Sequence, residues 1–159
     1  MCGITGTFST KGIKQQSGHA ATDALAHRGP DAEGYFIADS KKIGLGHRRL
    51  SIIDLSDTAN QPMHSACGRY VMVYNGEVYN FNELRNKLPT HNWLTQGDTE
   101  VILELFANFG AACLSWLNGM FALAIYDKTT GKLFLTRDQL GIKPLFYYRD
   151  EQTFIFSSE

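Results

Sequence analysis

The hydrophobic pattern changes period along the chain and divides it into strand-like and helix-like stretches. Short apolar runs predict strands over residues 3–8, 34–38, 43–53, 70–74, 120–126, 132–136, 145–148 and 154–157. A helical period replaces them at Val101, Ile102, Leu105, Phe106 and Phe109, with Asp98 or Thr99 as its cap. Ser17 is a plausible cap for a helix over His19 to Ala26, and Asn80 or Asn82 for a short one through Leu88. Leu114 to Leu117 adds a helical turn, while Arg28-Gly29-Pro30-Asp31 and Lys128-Thr129-Thr130-Gly131 read as turns. The run Met120-Phe121-Ala122-Leu123-Ala124-Ile125 is apolar throughout, so both of its faces should be covered. Stacked sheets flanked by helices are the natural inference, in one domain over residues 1–159.

Composition narrows the partners. With 43% hydrophobic and 12% aromatic residues, the chain can bury a core. A formal net charge of −1 with interspersed signs gives no electrostatic reason to expect nucleic acid or an anionic membrane. Three cysteines, at 2, 67 and 113, lack the density of a secreted disulfide framework. No signal-peptide pattern or membrane-length apolar run is present, so a soluble cytoplasmic chain is expected. The scattered histidines and cysteines offer no metal-ligand spacing, and no metal site is expected. The chain ends on a strand without a polar tail, as a piece of something longer would.

The residue with the clearest chemistry is Cys2. Removing Met1 would leave a thiol and a free α-amine on one residue. An α-amine titrates near pH 7.7 to 8.0, so it can take the thiol proton, and nucleophile and general base then share a residue. Any coding sequence can carry Cys second; Gly3 and Gly6 strengthen the case by allowing close packing around the terminus.

A nucleophile that attacks a carbonyl needs oxyanion donors. Asn75-Gly76-Glu77 supplies a side-chain amide beside a glycine N–H, but Asn-Gly is equally the strongest short hairpin signal, and from local sequence the turn leads. Arg48 and Arg49 sit in an otherwise apolar strand, where one could clamp a carboxylate and either could be a solvent-facing charge. Gly97-Asp98-Thr99-Glu100 puts carboxylates at a helix start, suited to capping or to an ammonium group. A thiol, an oxyanion pair, an arginine and an aspartate together match an α-amino acid with a side-chain amide, which is glutamine.

Six stretches then carry a resemblance: Met1-Cys2-Gly3-Ile4, His27-Arg28-Gly29-Pro30-Asp31, Gly46 to Asp54, Tyr74 to Asn80, Gly97 to Leu103 and Arg137 to Pro144. The chain resembles the class II glutamine amidotransferases, and among them the N-terminal glutaminase domain of glutamine-hydrolysing asparagine synthetases. The resemblance implies an α+β fold, the N-terminal-nucleophile αββα sandwich with two mainly antiparallel sheets. It implies Cys2 as nucleophile and Asn75 with the Gly76 backbone as oxyanion hole. Arg49 would take the glutamine carboxylate, with backbone from Leu50, Ser51, Ile52 and Ile53 lining the pocket, and Glu77 and Asp98 would hold the ammonium. Arg28 to Asp31 is a signature for which the sequence yields no physical role. Cys67 and Cys113 match no catalytic position.

The resemblance further implies acyl transfer through a Cys2 thioester, with ammonia passing to a C-terminal synthetase domain that is absent from this chain. No cofactor is expected here, since ATP and Mg belong to that domain and these residues contain no pyrophosphate-loop sequence. A homodimer is compatible with the family. Two alternatives stay open: the same domain feeding ammonia to another acceptor, and a non-catalytic glutamine-sensing domain.

Overall fold

The structure is a computed structural model and describes residues 1–51 and 54–159. Among the described residues, nine strands form two antiparallel sheets. The five-stranded sheet has the order β2 (Ala32–Ile37), β3 (Ile43–Arg49), β1 (Gly3–Ser9), β9 (Thr153–Ser157), β8 (Phe146–Arg149). The four-stranded sheet runs β4 (Met63–His64), β5 (Tyr70–Val78), β6 (Gly119–Asp127), β7 (Leu133–Arg137).

Alternation along the strands sorts side chains into layers. Val71 and Val73 of β5 pack with Ala122, Ala124, Ile4, Leu45 and Phe156 between the sheets. Tyr70, Met72 and Tyr74 point the other way, into a second core shared with Val101, Ile102, Leu105 and Phe106 of α3 (Asp98–Phe109). Helix α1 (Gln15–Asp23) covers the outer face of the five-stranded sheet through its buried Gly18 and Thr22. The order is helix, sheet, sheet, helix, as expected, and β6 is buried on both faces.

Several boundaries differ from the sequence reading. Helix α1 starts at Gln15, with Lys14 rather than Ser17 at its cap position, and ends at Asp23. Its inward face is built of small residues, so the apolar pattern does not mark it. Strand β3 ends at Arg49, because Leu50 and Ser51 turn away to meet Cys2 and Asp31. Asn80 precedes α2 (Phe81–Arg85), but its side chain bonds Trp116 O and Asn118 N–H instead of capping. Helix α3 follows Gly97 at its cap position, and Asp98 is its first residue rather than its cap.

The largest correction concerns Asn75-Gly76, which is not a hairpin. Strand β5 runs straight through it, with Asn75 opposite Ala122 and Gly76 opposite Phe121 on β6. A Cβ on Gly76 would lie 2.5 Å from Met120 O, so the glycine serves close strand approach rather than a turn.

Candidate active site

Cys2 directly precedes β1, two residues before Ile4, whose side chain lies between the sheets. Its Sγ accepts from Leu50 N–H at 3.4 Å and lies 3.7 Å from Leu50 O. The Arg28–Asp31 turn, which had no derived role, brackets this terminus. Arg28 Nε donates to Cys2 O at 3.1 Å, and Asp31 Oδ2 accepts from Ser51 N–H at 2.8 Å. Between them Gly29 lies against the Arg48–Arg49 peptide, where a Cβ would come within 2.5 Å of Arg48 O. The turn ties Cys2 to the end of β3.

A cavity of about 300 Å³ opens beside Cys2 and is lined by Arg49, Leu50, Asn75, Gly76, Glu77 and Asp98. Those positions were all expected. Ser51 does not line it, since its N–H is spent on Asp31, and Ile52 and Ile53 lie outside the described residues.

Two hydrogen-bond donors in this cavity have no partner among the described residues. Asn75 is buried, and among the described residues its Nδ2 has no acceptor. The second donor follows from strand pairing. Phe121, opposite Gly76, turns its backbone groups to the far side, its N–H to Asp138 Oδ2 and its carbonyl to Asp138 N–H. Gly76 opposite it must then also face away from β6, because antiparallel pairs alternate between mutually bonded and mutually outward residues. The neighbours of like parity agree: Tyr74 N–H donates to Gln61 Oε1 at 2.6 Å and Val78 N–H to Asp98 Oδ2 at 2.8 Å. Strand β4 ends its pairing at Met72, so no strand among the described residues pairs this edge and Gly76 N–H faces the cavity. Buried donors without partners cost stability, and sites aimed at developing negative charge keep them.

Parity also separates the arginines. Arg49 shares the inward face with Leu45 and His47, whereas Arg48 points out to Asp23 and to Glu33, the latter at 2.6 Å. Arg49 is buried, with Nη1 donating to Ser56 O at 2.9 Å and Asn60 Oδ1 at 2.7 Å, and Nη2 donating to Asp54 O. A guanidinium has five N–H donors, so capacity remains for a carboxylate in the cavity.

Asp98 reaches the site from the start of α3. Its Oδ2 accepts from the Tyr74 hydroxyl at 2.6 Å as well as from Val78 N–H. Burial raises its pKa above the ordinary carboxylate value, and those two donors oppose the rise. Tyr74 is pushed up as well, by burial and by the Asp98 charge beside it, so it stays a donor.

Sequence reasoning did not single out Asp54, Gln61, Tyr74 and Lys143, which also line the cavity. Asp54 bridges two loops, with Oδ2 accepting from Gln96 N–H at 2.8 Å and Oδ1 from Ser56 N–H at 2.8 Å. Hydrogen bonds from Ser56 and Gln96 hold its carboxyl below the usual range. Lys143 is delivered by the Asp138 loop, whose carboxylate gathers the N–H groups of Phe121, Leu140, Ile142 and Lys143. These contacts join distant segments; Asp54, Tyr74 and Lys143 lie inside the matching stretches, and Gln61 carried no sequence signal.

The model of the family described as the glutamine amidotransferase domain matches residues 1–159. The chain belongs to that family. A glutamine amidotransferase relative from Methanocaldococcus jannaschii, provisionally named asparagine synthetase (glutamine-hydrolyzing) 2, is 44% identical over all of this chain and 34% of its own length. Asparagine synthetase (glutamine-hydrolyzing) 2 of Bacillus subtilis is 40% identical over all of this chain and 22% of its own. This amidotransferase domain therefore spans about a third or less of the relatives it matches. Glutamine phosphoribosylpyrophosphate amidotransferase from B. subtilis superposes with a TM-score of 0.83 at 22% identity, over 99% of this chain and 42% of that one. The fold is that of the N-terminal-nucleophile amidotransferases. No helix among the described residues is long and apolar enough to cross a membrane.

Proposed function

We propose that this domain hydrolyses glutamine to glutamate and ammonia through a thioester on Cys2. The observation that carries the reading is the pair of donors in the cavity that holds Cys2, Asn75 Nδ2 without an acceptor among the described residues and Gly76 N–H turned away from β6. With Met1 removed, the Cys2 amine takes the thiol proton as sulfur adds to the glutamine Cδ carbonyl. The oxyanion forms against Asn75 and Gly76, the amine returns the proton, and ammonia departs. Water then cleaves the thioester to glutamate and regenerates the thiol. Arg49 binds the α-carboxylate, while Asp98 and Glu77 face the α-ammonium. Met1 itself borders the cavity, so its retention would both block the amine and crowd the mouth.

The names of the relatives support an asparagine synthetase as the larger protein, in which further residues activate aspartate with ATP and Mg and receive the ammonia. Supplying the Met-processed chain with glutamine should give one glutamate per ammonia, at one rate with or without ATP and aspartate. Ammonia release that requires ATP would overturn the assignment of the half-reaction to these residues.

A further inference from the structure

Tyr74 stands immediately before the first oxyanion donor, on the stretch of β5 that pairs with β6 but lies beyond the end of β4. Past Met72 no strand among the described residues pairs this edge, so its peptide groups need other partners. Two buried side chains supply them for Tyr74. Gln61 Oε1 accepts from its N–H at 2.6 Å, and His47 Nε2 meets its carbonyl at 3.2 Å. Gln61 comes from the segment leading into β4, and His47 crosses from β3 in the opposite sheet. They hold both polar groups of one residue from two different elements.

Neither side chain has a place in the reaction described above. His47 has only its Tyr74 contact, since its Nδ1 has no partner among the described residues. It is almost wholly buried, and burial pulls its pKa down to about 3, so the ring is neutral and carries a single N–H. A carbonyl can only accept, so that hydrogen lies on Nε2 and is directed at Tyr74 O.

We infer that His47 and Gln61 are positioning residues for the oxyanion hole, fixing the Tyr74 peptide so that Asn75 Nδ2 and Gly76 N–H keep their aim at the reacting carbonyl. The inference rests on the glutaminase reading. Both residues act through β5 rather than on the substrate. A strand edge anchored by side chains can carry a donor that a paired edge could not, because a neighbouring strand would consume Gly76 N–H. Misplacing catalytic donors by a fraction of a bond length lowers the rate while leaving ground-state binding alone.

The test uses the Met-processed chain and its Gln61→Met, Gln61→Glu, His47→Leu and His47→Gln variants. Gln61→Met and His47→Leu should lower kcat for glutamine hydrolysis about 10- to 100-fold with KM within about twofold. Gln61→Glu, which keeps an acceptor, and His47→Gln, which keeps a donor, should recover most of that loss. Alkylation of Cys2 by iodoacetamide forms no oxyanion, so its rate should match the wild type in every variant. Gln61→Met with undiminished kcat, or a loss shared by KM and alkylation, overturns the positioning role; should His47→Leu fail to fold, the Gln61 pair decides alone. A processed wild type without glutaminase activity overturns the underlying reading and this inference with it.

Discussion

The Tyr74 hydroxyl donates to Asp98 Oδ2 at 2.6 Å and thereby stabilises a buried carboxylate whose pKa burial has already raised. If Asp98 holds the glutamine ammonium, it must be ionised. Its pKa lies above the ordinary carboxylate value, so binding should weaken on acidification at a higher pH than an ordinary aspartate would give. Tyr74→Phe removes a donor that favours the charged form, which raises that pKa further. The acid limb of kcat/KM should move to higher pH in Tyr74→Phe, as a pH profile would show; an unmoved limb argues against Asp98 as the titrating group. The stability sign is opposite to that of a salt-bridged aspartate. A raised pKa means stability is lost as pH rises through it, so Asp98→Asn should be at least as stable as the wild type at pH 7.

Arg49 and Arg48 should part cleanly. Removing one partner of a buried charge contact costs about 2–5 kcal/mol, so Arg49→Ala should lower kcat/KM at least about 30-fold, chiefly through KM. Arg48 pairs with exposed carboxylates on the outer face, and Arg48→Ala should cost about 0.2–1 kcal/mol of stability with KM unchanged. Steady-state kinetics and urea unfolding on the two variants read both outcomes, and an unchanged KM in Arg49→Ala would remove it from carboxylate binding.

Asn75→Ala should lower kcat about 10²- to 10³-fold with little change in KM. Its amide nitrogen has no acceptor among the described residues, so deleting it should cost no hydrogen bond from that nitrogen, and the variant should melt within a few degrees of the wild type. A large loss of stability with activity retained would make Asn75 a structural residue instead.

Away from the site, Asp127 closes the β6–β7 turn. It accepts from Arg69 at 2.8 and 2.6 Å and from Thr129 and Thr130 N–H, which hold its carboxyl far below the ordinary range. Asp127→Ala should destabilise by about 1–3 kcal/mol at pH 7. A depressed pKa gives stability that is present above the ordinary carboxylate range and lost as pH falls through the folded value. The gap between wild type and variant should therefore narrow below about pH 4.

The sequence offered Cys2, the Asn75-Gly76 donors and Asp98 directly, but left Arg48 and Arg49 open, and only the resemblance chose between them; in the structure Arg49 shares its face with Leu45 and Arg48 does not. The Asn75-Gly76 pair misleads because local turn propensity is strong, whereas its strand conformation depends on β6, more than forty residues downstream. Lys14 at the cap position of α1 and the side-chain partners of Tyr74 were unreadable for related reasons. The inward face of that helix is small rather than apolar, and the open edge of β5 exists only because β4 is two residues long.

Cys2 as nucleophile is tested most directly by incubating processed wild type and Cys2→Ala with glutamine, measuring ammonia and glutamate, and trapping the protein in acid for intact mass. The wild type should release the two products in equal amounts and carry a glutamyl group that hydroxylamine removes. Cys2→Ala, folded by circular dichroism, should release neither and carry no adduct. Turnover by Cys2→Ala at the wild-type rate would contradict the account.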